Sequence, residues 1–314
     1  MDSLQNKQYQ AAYLLDKQKF SLKKMYLPKI KDYQIIVKVK NCSICGSDLK
    51  IYNNGTKRFE LPQITGHEIS GKIVKVGNRI KKFKIGDKIS IGADIDNKKN
   101  LAIGHEIPGG FSQYMVLNKL VSTRGPIQKF SNINYKQASL AEPLGCCING
   151  FEKSKVKKNK TILIIGGGPI GLILSKLSLL YNPKKIFLIE KSKTRLKLIK
   201  KITNHIDVIL GSNLKLNKKI IKNLTQNHGV DYIFTANSNY VSQIEAFNYI
   251  ANNGVINLFG GLVNNKNILL PTNDIHYKQL QVTGSHGCTK SQHKKALKLL
   301  DNKKIDLNFI ISHQ

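Results

Sequence analysis

Two kinds of hydrophobic patterning divide this chain of 314 residues. Up to about Lys153 the apolar positions come in short alternating runs broken by glycine. Gln34 to Lys40 alternates as a half-buried strand does, Ile69 to Val76 repeats the pattern around Gly71, and Gly86-Asp87 marks a turn before Lys88 to Ile91. Beyond the lysine-rich linker Lys153 to Lys160, apolar runs alternate with amphipathic stretches. Thr161 to Ile165 and Lys185 to Glu190 read as strands, each followed by a helix, from Gly168 to Tyr181 and from Thr194. Asp207 to Ile209, Asp231 to Phe234, Val255 to Phe259 and Gln281 to Gly284 continue the strand series. Such alternation predicts a parallel α/β sheet in the second half. A helix from Ser291 to Leu300 and an apolar run at Leu307, Phe309, Ile310 and Ile311, expected as a strand, close the sequence.

The charge is lopsided: 51 Lys and Arg against 19 Asp and Glu give a net +32. Such an excess points towards a polyanion partner. Only Arg58, Arg79, Arg124 and Arg195 are arginines, however, the residue whose fork reads bases and phosphates. The lysines are spread among Asn and Ile along the whole chain, the mark of an AT-rich coding sequence, so no specific nucleic-acid partner is expected. No window has the length of a membrane span, and Met1 to Gln10 is too polar for a signal sequence. Five cysteines (Cys42, Cys45, Cys146, Cys147 and Cys288) do not make a disulfide framework, which points to the cytoplasm.

The predicted strand Thr161–Ile165 runs straight into Gly166-Gly167-Gly168-Pro169-Ile170-Gly171, a G-x-G-x-x-G turn opening a helix. The first glycine permits the tight turn, the second lets backbone approach a pyrophosphate, and the third lets helix pack on strand. The next strand ends in Glu190, an acid at the spacing that serves the ribose hydroxyls of NAD. Lys191 and Lys193 follow it and would suit the extra phosphate of NADP; NAD is the expected cofactor, with Arg195 included in its site.

Chemistry-bearing residues also collect in the first half, at Cys45-Gly46-Ser47-Asp48, Gly66-His67-Glu68 and Glu142-Pro143-Leu144. A thiolate, an imidazole and a carboxylate with one open position are what a catalytic zinc needs. Bound there, zinc would polarise an alcohol oxygen. Cys42 and Cys45 also form C-x-x-C, half of a structural zinc site, but no second pair follows; Cys42 is expected to be buried packing. Cys146 and Cys147 lie close enough after Glu142 to be considered as ligands, with burial in a short helix as the simpler reading. A second Gly-His-Glu, Gly104-His105-Glu106, reads as structural, and His205, His228, His276, His286, His293 and His313 have no ligand-like company.

Taken in order, these motifs with Gly86-Asp87, Gly110-Phe111-Ser112-Gln113-Tyr114 and Thr283-Gly284-Ser285 resemble the zinc-containing medium-chain dehydrogenase/reductase superfamily, most closely its sorbitol and threonine dehydrogenase branch. The resemblance covers essentially the whole chain. It implies a Rossmann doubly wound parallel sheet at 153–288 and a mainly β, GroES-like catalytic domain at 1–152, resumed at 289–314. It implies Cys45 and His67 as zinc ligands, Glu68 and Glu142 as carboxylates alternating with water, and Ser47 on the substrate hydroxyl, with Asp48 bracing the site. The implied reaction moves a hydride between a secondary alcohol of polyol, sugar-alcohol or threonine type and NAD(P), in a homodimer or homotetramer.

The sequence departs from that pattern in three places. Gly92 to Lys98 carries no cysteine where many relatives hold a structural zinc, so one catalytic zinc and no structural one is expected. The relay histidine of many relatives is Lys50 here, and an ammonium holds its proton far more tightly than an imidazole; either burial near the zinc lowers the Lys50 pKa and makes it a catalytic relay, or protons leave Ser47 through water and cofactor ribose. The return to the catalytic domain after Ser285 is short, as in a truncated domain. Competing readings are a zinc-free quinone or enoyl reductase of the same superfamily, and a non-catalytic protein, either a truncated relic or a dinucleotide-dependent nucleic-acid binder.

Overall fold

The computed structural model describes residues 4–96, 101–202, 205–211, 213–262 and 267–312. His313 and the Asn97-Lys98 end of the cysteine-free segment lie outside the described residues. Two compact units emerge, Met1–Gly145 with Gly287–Gln314, and Cys146–His286. The division falls inside a helix, at Gly145, and not at the lysine-rich linker.

In the first unit β1 (Gln8–Asp16) and β2 (Lys19–Tyr26) form an antiparallel hairpin. They are followed by β3 (Ile35–Ser43), α1 (Gly46–Asn54), β4 (Glu68–Val76), β5 (Lys88–Ile91), β6 (Asp94–Asp96), β7 (Leu101–Ala102) and β8 (Tyr114–Leu117). Then come α2 (Lys119–Arg124), β9 (Ile127–Lys129), α3 (Tyr135–Ser139) and α4 (Ala141–Lys153). An antiparallel sheet in the order β8-β3-β4-β5-β9 forms its centre. Successive residues of a strand point to opposite faces. Ile35 and Val37 accordingly join one core with Ile69, Ile73, Ile89 and Ile91, while Ile36 faces Tyr9, Leu27 and Tyr114 of the other.

The second unit carries β10 (Thr161–Ile165), α5 (Pro169–Leu179), β11 (Lys185–Glu190), α6 (Lys193–Ile202), β12 (Ile206–Leu210) and α7 (Leu214–Leu224). It continues through β13 (Val230–Thr235), α8 (Tyr240–Glu245), β14 (Ile250–Leu258), α9 (Thr272–Tyr277) and β15 (Gln281–Gly284). Its strands pair in parallel in the order β12-β11-β10-β13-β14-β15. That is the doubly wound dinucleotide-binding order, with its switch point between β10 and β13. Strands covered on both faces read as continuous apolar runs, as Ile162–Ile165 and Ile186–Ile189 do.

Where these strands begin, at the end of the sheet away from the glycine turn, a cleft of about 900 Å³ is lined by Lys160, Lys185, Lys222 and Lys278 among others. Asp231 and Asp274 pair with Lys160 and Lys278, and Lys222 sits in the last turn of α7, where a cation answers the helix's negative end. Part of the large positive charge is thus absorbed by local structure. No helix among the described residues is long and apolar enough to cross a membrane.

The first unit is completed by α10 (Lys290–Asp301). Its Asp301 carboxylate accepts the Ser131 and Asn132 amides, and its His293, wholly buried, places Nε2 3.0 Å from Ser90 Oγ. The strand expected over Leu307–Ile311 is instead a 3-10 turn at Asn308–Ile310. Asp306 caps it by accepting the Asn308 amide at 2.9 Å, and Leu307 alone of the apolar run is fully buried.

Candidate metal centre and dinucleotide turn

Sheet register builds the first site. Strands β3 and β4 pair with Ser43 opposite Glu68. The chain leaves β3 and reaches Cys45, which precedes α1, while His67 stands immediately before Glu68. One antiparallel pairing therefore brings all three to the same end of the sheet, with their ligand atoms within 4.8 Å of one another. Asp48 accepts the Cys45 backbone N–H at 2.9 Å and sets its other oxygen 3.6 Å from His67 Nδ1. Ser47 Oγ lies 3.4 Å from His67 Nε2. Glu142, in the first turn of α4, is buried and near enough for its charge to act on both His67 and Glu68.

Acidic groups dominate this pocket. Burial, then the Glu142 charge, pushes Glu68 up to about 7. Burial disfavours a charged His67, but Asp48, Cys45 and Glu142 outweigh it and hold the imidazole well above its ordinary value. Burial also pushes the Cys42 thiol well up, as a packed thiol rather than a ligand requires. Crowded out of water, the Cys42 thiol and the Glu68 carboxyl hold their protons more tightly than in solution, because burial and neighbouring negative charge disfavour the ionised forms. Asp48 Oδ1 and His67 Nδ1, both buried, have no hydrogen-bond partner of standard geometry. The donor set of sulfur, imidazole nitrogen and carboxylate oxygen fits Zn²⁺, with Asp48 behind the histidine in the position that orients such ligands.

The second Gly-His-Glu packs directly on this group. The His105 ring stacks on His67 with centroids 5.2 Å apart. Burial, then the neighbouring His67, lowers its pKa to about 4. No short-range signal in the sequence distinguishes this role from simple packing. Lys50 is exposed on α1, so burial does not bring it into the pocket. Cys147 is buried and Cys146 half-buried on α4.

The dinucleotide turn is formed as the glycines require. Gly166 has φ +112°, a conformation L side chains avoid, and donates its N–H to Ile189 O at 2.8 Å. Gly168 precedes α5, Pro169 takes the first helical position, and Ile170 follows it, partly exposed. At Gly171 a Cβ would strike the Gly166 carbonyl. Glu190 is buried at the end of β11, receiving the Gly167 N–H at 2.6 Å and the Ser192 N–H at 2.8 Å, with the Arg195 guanidinium 3.7 Å away.

Residues 31–124 match the alcohol dehydrogenase GroES-like domain, and residues 169–302 match the zinc-binding dehydrogenase domain. The chain belongs to the zinc-type medium-chain dehydrogenases. D-arabitol-phosphate dehydrogenase of Enterococcus avium is 28% identical over 303 residues, covering 91% of this chain and 84% of that protein. L-threonine 3-dehydrogenase of Bacillus velezensis is 27% identical over 312 residues, covering 94% and 88%. Among solved structures, 2R,3R-butanediol dehydrogenase of Bacillus subtilis shares the fold with a TM-score of 0.82 at 23% identity, over 94% of this chain and 88% of that one. The chain is thus an oxidoreductase of a zinc- and nicotinamide-dependent family, and the zinc-free reductase reading is not favoured.

Proposed function

We propose that this dehydrogenase oxidises a secondary alcohol of a polyol, sugar-alcohol or threonine-like substrate, reducing NAD, with one zinc per chain held by Cys45, His67 and the carboxylates Glu68 and Glu142. The convergence of Cys45, His67 and Glu68 within 4.8 Å, in a buried pocket under the charge of Glu142, carries the reading. Zinc, when bound, supplies a Lewis acid that lowers the pKa of the substrate hydroxyl. Ser47 stands beside His67 Nε2 and takes the proton from that hydroxyl. Lys50 is exposed on the same helix, which favours water and the cofactor ribose over a buried lysine as the acceptors that a proton leaving Ser47 would have. Glu190 supports NAD over NADP, while Arg195, 3.7 Å from it, and Lys191 and Lys193, beside it in sequence, supply opposing charge. Five cysteines, none in a disulfide, support a reducing cytoplasm, and the edge position of β15 supports a homodimer or homotetramer.

Metal analysis of dialysed protein is expected to return one zinc per chain. NAD reduction should then appear with members of a panel of sugar alcohols, sugar-alcohol phosphates, threonine and simple secondary alcohols. Two zincs, or none in active protein, would refute the ligand set; no turnover across the panel would refute the substrate class.

A further inference from the structure

We propose that His105 is a positioning residue for the metal ligand His67, fixing the plane of its imidazole by stacking on its face. The inference rests on the reading of His67 as a ligand. The polar contacts of His67 do not fix that plane by themselves. Asp48 Oδ1 is 3.6 Å from Nδ1 and Ser47 Oγ is 3.4 Å from Nε2, at or beyond the outer edge of hydrogen bonding. The ring of His105 does cover a face, at 5.2 Å between centroids and 29° between planes.

His105 is itself firmly held. Phe59 lies against it at 5.9 Å, so the three rings form a row. Its carbonyl receives Gln63 Nε2 at 2.9 Å. The next residue, Glu106, pairs with the Arg58 guanidinium and accepts the Ala102 amide at 2.8 Å. On the other side Gly104, at φ +79°, allows the approach: a Cβ there would come within 2.6 Å of Gly66 O and 3.1 Å of His67 Cβ. Gly109 and Gly110 donate to Ile64 O and Gly66 O, clamping the same segment along the residues that lead into His67. These holds on His105 lie outside the metal group, and the far face of the row is the ligand His67.

The test compares His105→Ala with His105→Phe, which keeps a flat ring and removes both nitrogens. The readouts are the rate of zinc transfer to a chelator, the visible absorption of the Co²⁺-substituted protein, and the melting temperature of the metal-free protein. His105→Ala should release zinc about 10–100-fold faster, the range seen when a group orienting a metal ligand is lost, and should shift the Co²⁺ bands. His105→Phe should restore wild-type release and bands. Wild-type release and spectra in His105→Ala would overturn the proposal, as would a His105→Phe protein that behaves like His105→Ala. If His105→Ala fails to fold, His105→Leu replaces it, and release as slow as in His105→Phe then overturns the role of the flat ring. Failure of the underlying reading looks different: wild-type protein would itself take up no zinc.

Discussion

The Glu190 carboxylate accepts the Gly167 amide at 2.6 Å, tying the acid at the end of one strand to the glycine turn at the end of its neighbour. The register requires this closeness, because Ile165 and Ile189 are paired and each is followed at once by the turn or the acid. Glu190 therefore holds the turn as well as serving the cofactor site proposed above.

Glu190→Ser should have two separable effects. The ratio of kcat/KM for NAD over NADP should fall, because the charge that repels a 2′-phosphate is gone. Both Michaelis constants should also rise, because the Gly167 and Ser192 amides lose their shared acceptor. Steady-state kinetics with each cofactor measures both; an unchanged ratio would exclude Glu190 from cofactor choice.

Gly171→Ala tests the same turn sterically. Its Cβ would collide with the Gly166 carbonyl, which no side-chain rearrangement relieves. Dinucleotide binding, followed by protein fluorescence, should weaken at least 10-fold, about 1.4 kcal/mol. Zinc content should be unchanged.

Cys45→Ser is the reciprocal experiment. Loss of the thiolate should reduce turnover by more than about 100-fold, beyond what loss of an orienting group costs. NAD affinity should stay near wild type, since the glycine turn lies in the other compact unit. Equal loss of cofactor affinity would mean that the variant is misfolded or the ligand wrongly chosen.

How much of this was legible in the chain varied with the kind of signal. The parallel strands were, because burial on both faces writes itself as runs such as Ile-Leu-Ile-Ile at Ile162–Ile165. The β1–β2 hairpin was not: β2 carries Lys19, Lys23 and Lys24 and is mostly exposed, so no apolar period marks it. Strand β14 begins earlier than its apolar run, at Ile250, because Asn252-Asn253 interrupts the pattern with a left-handed residue at Asn253. That Cys45, His67 and Glu68 would come together, with Ser47 and Asp48 beside them, was readable from family order. The stacking of His105 on His67 was not, since 37 residues of intervening chain separate them and the sheet and the glycine clamps bring them together.

His293 yields a pH prediction. Burial lowers its pKa to about 4, so the folded protein keeps the ring neutral. Unfolded, the ring titrates near the ordinary 6.5. Its stability contribution is therefore complete above about pH 6.5 and is lost as the pH falls towards 4, where the unfolded chain binds the extra proton. The shift corresponds to at most about 3 kcal/mol. Urea midpoints at pH 7.5 and 5 should differ more in wild type than in His293→Asn; identical pH dependence would show that His293 is not the group responsible.

The return of α10 to the first unit has a consequence in time. Ser90 meets His293, and Asn132 meets Asp301, across the whole of residues 146–286. During synthesis at about 5–20 residues per second, the early β-rich segment must wait roughly 10–30 s for these partners. The contiguous unit, by contrast, has all its strands as soon as β15 emerges. For that interval Ser90 and the Ser131 and Asn132 amides depend on water or a chaperone for partners. A ribosome stalled after β15 should accordingly carry a nascent chain whose Rossmann unit resists protease while residues 1–145 are still cut.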